Sequence, residues 1–286
     1  MEKNFFVKSH GLGNDYIVLN SEAIDFSLTP KAVIKICDIH YGIGSDGILL
    51  KVPSNKADFG LRIYNPDGSE AEKSGNGLRI FCKYLFDHGF TKNKIFTVDT
   101  LGGLVKAEIL EFRNGKAYMI KMDMGKAVFI SKDVPVNCSK TECIDEPLTI
   151  EGKEFRINCV SVGNPHCVVV MDKLDEEEIK KYGPYIEKHS MFPNKINVQF
   201  AKRISDNEAE ILIWERGAGY TLASGSSSCA VACVLRKKGL AGDNITIKMP
   251  GGTLKISIDN SWNIQMTGPV EEIAMGVLSA ELVHGI

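Results

Sequence analysis

The sequence has no long apolar run. Nothing in it approaches the roughly 20 consecutive apolar residues that a membrane-spanning helix needs, and Met1-Glu2-Lys3-Asn4-Phe5-Phe6-Val7 lacks the apolar core of a secretory leader. It also has no excess of charge: 34 basic against 36 acidic residues leave a net charge of −2, so no electrostatic footprint for nucleic acid or an anionic membrane exists. Neither kind of partner is expected. No C-x-x-C pair occurs among the eight cysteines, Cys37, Cys82, Cys138, Cys143, Cys159, Cys167, Cys229 and Cys233. With no matching Cys/His pair at ligand spacing, no metal is expected, and the thiols read as reduced and mostly buried. The chain is expected to be cytoplasmic. Low-complexity linkers are absent too, so any two halves should be closely apposed.

What is present is a repeat. A hydrophobic fraction of 44% and a charged fraction of 24% are those of a globular protein, and 286 residues suffice for one large domain or two ordinary ones. Glu72-Lys73-Ser74-Gly75-Asn76-Gly77 recurs 150 positions later as Ala223-Ser224-Gly225-Ser226-Ser227-Ser228-Cys229. The same offset carries Gly13 onto Gly163, Asn14 onto Asn164, Gly89 onto Gly239 and Gly102 onto Gly252. Each Ser-Gly pair opens an apolar stretch of helical period, Leu78, Phe81, Cys82, Leu85 or Ala230, Cys233, Val234, which stops at Gly89 or Gly239, where a helix favours a left-handed residue. A period this long means two domain-sized halves rather than a solenoid.

Along the chain, Phe5–Lys8 and Tyr16–Leu19 read as strands around a tight turn at His10–Asp15. Gly11-x-Gly13 is not a dinucleotide fingerprint, because Tyr16 stands at the third glycine position and a strand follows. A helix is expected from Thr29-Pro30 to about His40, and strands at 48–50, 59–64, 95–98, 104–109 and 117–120. A crossover near 122–126 leads to strands at 167–170, 197–200 and 209–214, and to a helix over 176–188 broken at Gly183-Pro184. Asn65 lies nine residues before Ser74 and Glu215 nine before Ser224, so strand, polar turn and serine-led helix form one device used twice. Many strands and few helices imply an α/β (α+β) fold. We expect two pseudo-symmetric halves, residues 1–123 with 270–286 and residues 124–269. Each is a mixed or antiparallel sheet wrapped around a central helix, with the active site in the cleft between them.

A helix start offers unpaired amides and the positive end of its dipole. The amides of Gly75, Asn76, Gly225 and Ser226 could together hold one carboxylate, with Ser74 and Ser224 on opposite sides of the carbon that bears it. That arrangement suits removal of a proton from one face and its return to the other. Taken singly, the residues have plainer readings: serine is a good N-cap, Asn14 and Asn164 suit turns, and Glu215-Arg216 could be an ion pair. No Gly-x-Ser-x-Gly elbow surrounds either serine, which argues against a hydrolase.

Read together, His10-Gly11-Leu12-Gly13-Asn14-Asp15, Asn65-x-Asp67-Gly68-Ser69-Glu70, Ser74-Gly75-Asn76-Gly77-x-Arg79, Gly163-Asn164-Pro165-His166, Asn197-Val198, Trp214-Glu215-Arg216-Gly217 and Ala223-Ser224-Gly225 resemble the diaminopimelate epimerases. The resemblance covers nearly the whole chain. It implies a cofactor-independent epimerase that interconverts LL- and meso-diaminopimelate in lysine and cell-wall synthesis. It implies that Asn65, Asn164, Asn197 and Arg216, with Glu215 nearby, hold the distal end of an amino diacid, and that His166 and Glu215 stand beside the first catalytic position. Asn14 joins them as a substrate-binding candidate. A homodimer is the expected assembly.

At positions 74 and 224 the family pattern has two cysteines, and this chain has serine at both. A thiol titrates near 8.5, and lower at a helix start, whereas a hydroxyl needs an adjacent base, and the resemblance makes His166 and Glu215 the catalytic candidates to supply it. The simplest account of two isosteric exchanges at the two catalytic positions is deliberate replacement, giving an inactivated form. The alternatives are a natural Ser/Ser relative acting on another amino acid, as a racemase or dehydratase, and a non-catalytic binding protein for an amino diacid. Gly47, where many members have glutamine, and Tyr220, at a position often acidic, also depart from the pattern.

Overall fold

The computed structural model describes residues 2–286. Its contacts divide the chain into two compact units, one running up to Met122 and resuming at Gly268–Ile286, the other Asp123–Thr267. The first contains β1 (Phe5–Gly11), β2 (Asn14–Asn20), α1 (Pro30–Cys37), β3 (Ile48–Val52), β4 (Phe59–Tyr64), β5 (Glu70–Ala71), α2 (Gly75–Asp87), β6 (Ile95–Thr100) and β7 (Gly103–Arg113). The chain leaves it inside β8 (Lys116–Lys126). The second contains β9 (Glu146–Ile150), β10 (Lys153–Ser161), β11 (Pro165–Val170), α3 (Glu176–Glu187), β12 (Asn197–Ser205), β13 (Glu208–Glu215), β14 (Gly219–Thr221), α4 (Gly225–Lys237), β15 (Asn244–Met249) and β16 (Gly252–Ile258). The chain returns inside β17 (Asn263–Pro269) and completes the first unit with β18 (Glu271–Val277) and α5 (Ala280–His284).

The two units have the same topology. The first has strand order β18-β1-β2-β3-β4-β6-β7-β8, the second β9-β10-β11-β12-β13-β15-β16-β17, with the short β5 and β14 folded back on β4 and β13. All neighbours are antiparallel except β2–β3 and β4–β6 in one and β11–β12 and β13–β15 in the other. Parallel neighbours require a crossover, and the four crossovers are where α1, α2, α3 and α4 lie. Register agrees as well: Ile17 pairs with Ile48 and Cys167 with Val198, both 150 positions on. The duplication seen in the sequence is therefore structural.

α2 and α4 are the central helices. A helix buried nearly all round belongs inside a core, and Asn76 through Leu85 and Ser227 through Leu235 are all buried. α2 packs against β1, β2 and β7, and α4 against β10 to β13, β15 and β16. The one ammonium buried in α2, Lys83, donates to Asp87 Oδ2 at 2.7 Å and Ala117 O at 2.6 Å. Both helices end two residues before a left-handed glycine, Gly89 (φ 77°) and Gly239 (φ 69°), with His88 and Lys238 as the caps between.

Two helices differ from expectation. α1 stops at Cys37 rather than near His40, because Asp38 is extended and its carboxylate accepts the amides of His40 and Tyr41, both at 2.7 Å. That side-chain turn competes with helix continuation. α3 runs unbroken through Gly183-Pro184. The residue before proline clashes in helical geometry chiefly through its Cβ, and Gly183 has none. The bare face is occupied by Trp214, whose Cγ would lie 2.7 Å from a Cβ at position 183. Strands β5, β9, β10 and β14 to β18 are not among the expected ones. No helix among the described residues is long and apolar enough to cross a membrane.

Candidate active site

In the first unit, Ser74 caps α2. It is extended (φ −137°, ψ 120°), and its Oγ accepts the amide of Gly77 at 3.1 Å. The amides of Gly75 and Asn76 precede the first intrahelical hydrogen bond and have no acceptor within the helix. Behind them runs a directed chain. Arg79 is fully buried, with Nη2 donating to Asn76 Oδ1 at 2.7 Å and Nη1 to Gly75 O at 3.2 Å. Asn76 Nδ2 donates to Asn14 Oδ1 at 3.1 Å, and Asn14 Nδ2 to Asp46 Oδ2 at 2.8 Å. The same carboxylate oxygen takes the Asp15 amide at 3.0 Å. A guanidinium only donates and a carboxylate only accepts, so the two ends dictate which way both carboxamides point. Asn65 is not in this chain: its Nδ2 turns onto Ser69 Oγ at 3.0 Å, inside the polar turn.

In the second unit, Ser224 caps α4 in the same conformation (φ −147°, ψ 125°), but with a longer contact of 3.5 Å from the Ser227 amide, and a further 3.5 Å to Ser226 Oγ. The bland N-cap reading is thus correct for both serines, and it leaves their hydroxyls at the helix mouths. The equivalent of Asn14 is held differently. Asn164 Oδ1 lies 2.9 Å from Nε2 of the fully buried His166. Asn197 Nδ2 donates to Pro165 O at 2.9 Å and its Oδ1 accepts the Arg216 amide at 3.0 Å. Arg216 is exposed, with Nη1 on Asn194 O at 3.1 Å. Glu215 accepts Thr221 Oγ1 at 2.7 Å, and burial pushes its carboxyl above the usual range against that hydrogen bond. Hence Asn164, His166, Asn197 and the Glu215-Arg216 strand end come together, as do Asn14, Ser74 and Asn76 in the first unit.

His166 is held neutral. Burial pushes it down to about 3; a hydrogen bond with buried Gln199 opposes the shift and the charge of Arg216 adds to it. Gln199 is itself fully buried and donates Nε2 to Ser227 Oγ at 3.0 Å. A neutral imidazole so placed orients Asn164 and is a weak proton acceptor. It also has a stability signature. Between the ordinary histidine value near 6.5 and about 3, the unfolded chain binds a proton that the native state refuses. Stability is then complete above that window and falls with acidification by up to about 1.4 kcal/mol per pH unit. Denaturation midpoints of the chain and of His166→Gln over pH 6.5 to 4.5 are expected to converge on acidification; parallel lines would show that His166 titrates normally.

Sequence reading missed Arg79 as a site residue, along with Asp46, Gln199, Ser227 and Thr221. Arg79 had a usable signal, since it follows Gly75 and Asn76 by four and three residues, which places them on one helix face.

The family model described as diaminopimelate epimerase matches residues 6–130 and 158–273, most of the chain. The chain belongs to that family. It is therefore an enzyme of the amino-acid epimerase class. It is 48% identical over 278 residues to diaminopimelate epimerase 2 of Nostoc sp., covering 97% of this chain and 96% of that one. It is 42% identical over 272 residues to the diaminopimelate epimerase of Acetivibrio thermocellus, covering 95% and 97%. In fold it is similar to a hydroxyproline epimerase from Agrobacterium vitis crystallised with bound trans-4-hydroxy-L-proline. That similarity has a TM-score of 0.71 at 14% identity, over 95% of this chain and 90% of that one. For a diaminopimelate epimerase family member, position 47 is informative. A Cβ there would come within 2.4 Å of Tyr64 O and 2.8 Å of Tyr16 Cε1, so this backbone has no room for a side chain. Tyr220 rests beneath Lys180 Nζ, 5.1 Å from its ring centroid.

Proposed function

We propose that this chain binds diaminopimelate and works on its α-carbon by two-base proton transfer without a cofactor, with Ser74 and Ser224 serving opposite faces. The observation that carries this reading is the doubled device: two equivalent buried helices, each capped by a serine whose hydroxyl stands beside amides able to hold a carboxylate. One serine comes from each unit, which is why we read the units as paired functional lobes. The oriented asparagines Asn14 and Asn164, with Asn65, Asn197 and Arg216, are assigned to the amino and carboxylate groups of the two substrate ends. With hydroxyls in place of thiols, proton transfer is slow, and the chain behaves as an epimerase that holds substrate longer than it converts it.

Calorimetric titration tests this directly. Both LL- and meso-diaminopimelate are expected to bind, and Arg216→Ala is expected to weaken both by tenfold or more. Binding of neither isomer would end the proposal. A second reading, a natural Ser/Ser relative acting on another amino acid, draws on Gly47 and Tyr220; tighter binding of a monocarboxylic amino acid than of either diaminopimelate isomer would select it.

A further inference from the structure

Tyr16 occupies the position in β2 that His166 occupies in β11. The two residues lie 150 apart, each two residues after its asparagine, and the strand register around them is the same. Their reach differs. His166 Nε2 turns to Asn164, whereas the Tyr16 hydroxyl lies 3.3 Å from Ser74 Oγ. The Tyr16 ring is buried, 6% exposed, and runs over the backbone of Gly47, where a Cβ would come 2.8 Å from Cε1 and 3.2 Å from Cδ1. The missing side chain at position 47 and the phenol beside Ser74 are thus one arrangement: the glycine leaves the space through which the ring brings its oxygen to the serine. Among the described residues no phenol or imidazole hydrogen-bonds the Ser224 hydroxyl, which meets Ser226 Oγ at 3.5 Å.

We propose that Tyr16 is the proton-relay partner of Ser74, acting through that serine, and that Ser74 is for this reason the abler of the two hydroxyls. The proposal rests on the epimerase reading above. An aliphatic hydroxyl needs an adjacent base before it can take a proton, and a phenol, ionising near 10, can be that base. One Ser74 Oγ lone pair accepts the Gly77 amide. The other takes the α-proton while the serine's own proton passes to the Tyr16 phenolate oxygen. The C–H electron pair stays on carbon, the phenolate becomes phenol, and the reverse transfer restores both. No such path is open at Ser224, so the two epimers should lose their α-hydrogen at unequal rates.

The test is deuterium uptake at the α-carbon of LL- and meso-diaminopimelate in D2O, read by mass spectrometry. It compares the chain, Tyr16→Phe, Ser74→Cys, and Ser74→Cys with Tyr16→Phe. In the serine chain we expect one epimer to exchange at least tenfold faster than the other, and Tyr16→Phe to slow that faster exchange by about 10²-fold. A thiol ionises without help, so the same phenylalanine substitution in the Ser74→Cys chain should cost less than about threefold. Equal losses in both backgrounds would make Tyr16 a packing residue and overturn the relay, as would no loss in either. If Ser74→Cys with Ser224→Cys exchanges but the unaltered chain does not, the relay fails and the epimerase reading stands. If that cysteine pair also fails to exchange, both fail together.

Discussion

Replacing Ser74 and Ser224 by cysteine together is expected to raise the rate of α-hydrogen exchange on diaminopimelate by about 10²- to 10⁴-fold, the range that a well-placed general acid–base pair contributes. The helix starts supply the reason. Each position is an N-cap at the positive end of a 13-residue buried helix, where a thiol already titrating near 8.5 is lowered further. A hydroxyl in the same field gains orientation and no useful basicity. The exchange has a cost, because sulfur is a poor acceptor for the Gly77 and Ser227 amides that the serines now take. Loss of a good cap destabilises by roughly 1 kcal/mol, so the double variant should be faster and melt a few degrees lower. An increase in rate below tenfold would show that the serines do not stand at the reacting carbon. Single replacements should recover much less than the pair, since inversion needs both an acceptor and a donor.

The second large effect is expected at Arg79. Arg79→Leu keeps the apolar bulk inside α2 but removes the donors that satisfy Asn76 Oδ1 and Gly75 O. Gly75 O keeps the Arg79 backbone amide as its helical partner, so one buried acceptor, Asn76 Oδ1, is left alone, and a loss of about 1–3 kcal/mol in chemical denaturation is expected. The functional consequence is separate from the structural one. Without the guanidinium, only the Asp46 carboxylate is left to orient Asn14 and, through it, Asn76. Asp46→Asn isolates that second effect, because it makes the far end of the chain ambiguous while leaving Arg79 in place. Diaminopimelate should bind about tenfold more weakly to Asp46→Asn, with a much smaller change in stability than Arg79→Leu produces. Undiminished affinity in both variants would mean that the asparagines are not oriented through this route.

Much of this was legible before any coordinates, and for a physical reason. The sites that must repeat are those where backbone conformation is demanding: the serine caps, the left-handed glycines after α2 and α4, and the asparagines at the hairpins. Their residue types are restricted, so they survive in a pair of halves that otherwise differ. Tertiary context decided the rest. α3 passes through Gly183-Pro184 because Trp214 occupies the glycine's bare side, a contact that no local pattern announces. α1 ends early because one carboxylate, Asp38, captures two amides. Arg79 and Tyr16 were visible letters without visible roles. One stood inside a quoted motif, the other served only to exclude a nucleotide loop, and their partners lie up to 58 residues away in sequence. His166 shows the limit of reading residue type alone, since complete burial turns a candidate base into an orienting group.

The interleaving of the two units within one chain bears on how the protein is made. Residues 123–267 are contiguous, so the contacts inside that unit need no later part of the chain. The other unit is different, because the outer edge of its strand β1 is covered by β18, which follows residues 123–267 in sequence. During synthesis the strands that precede residue 123 must therefore wait, their sheet open along one side, while residues 123–267 are made. The half that bears Tyr16 and Ser74 is completed only after the other unit has been synthesised.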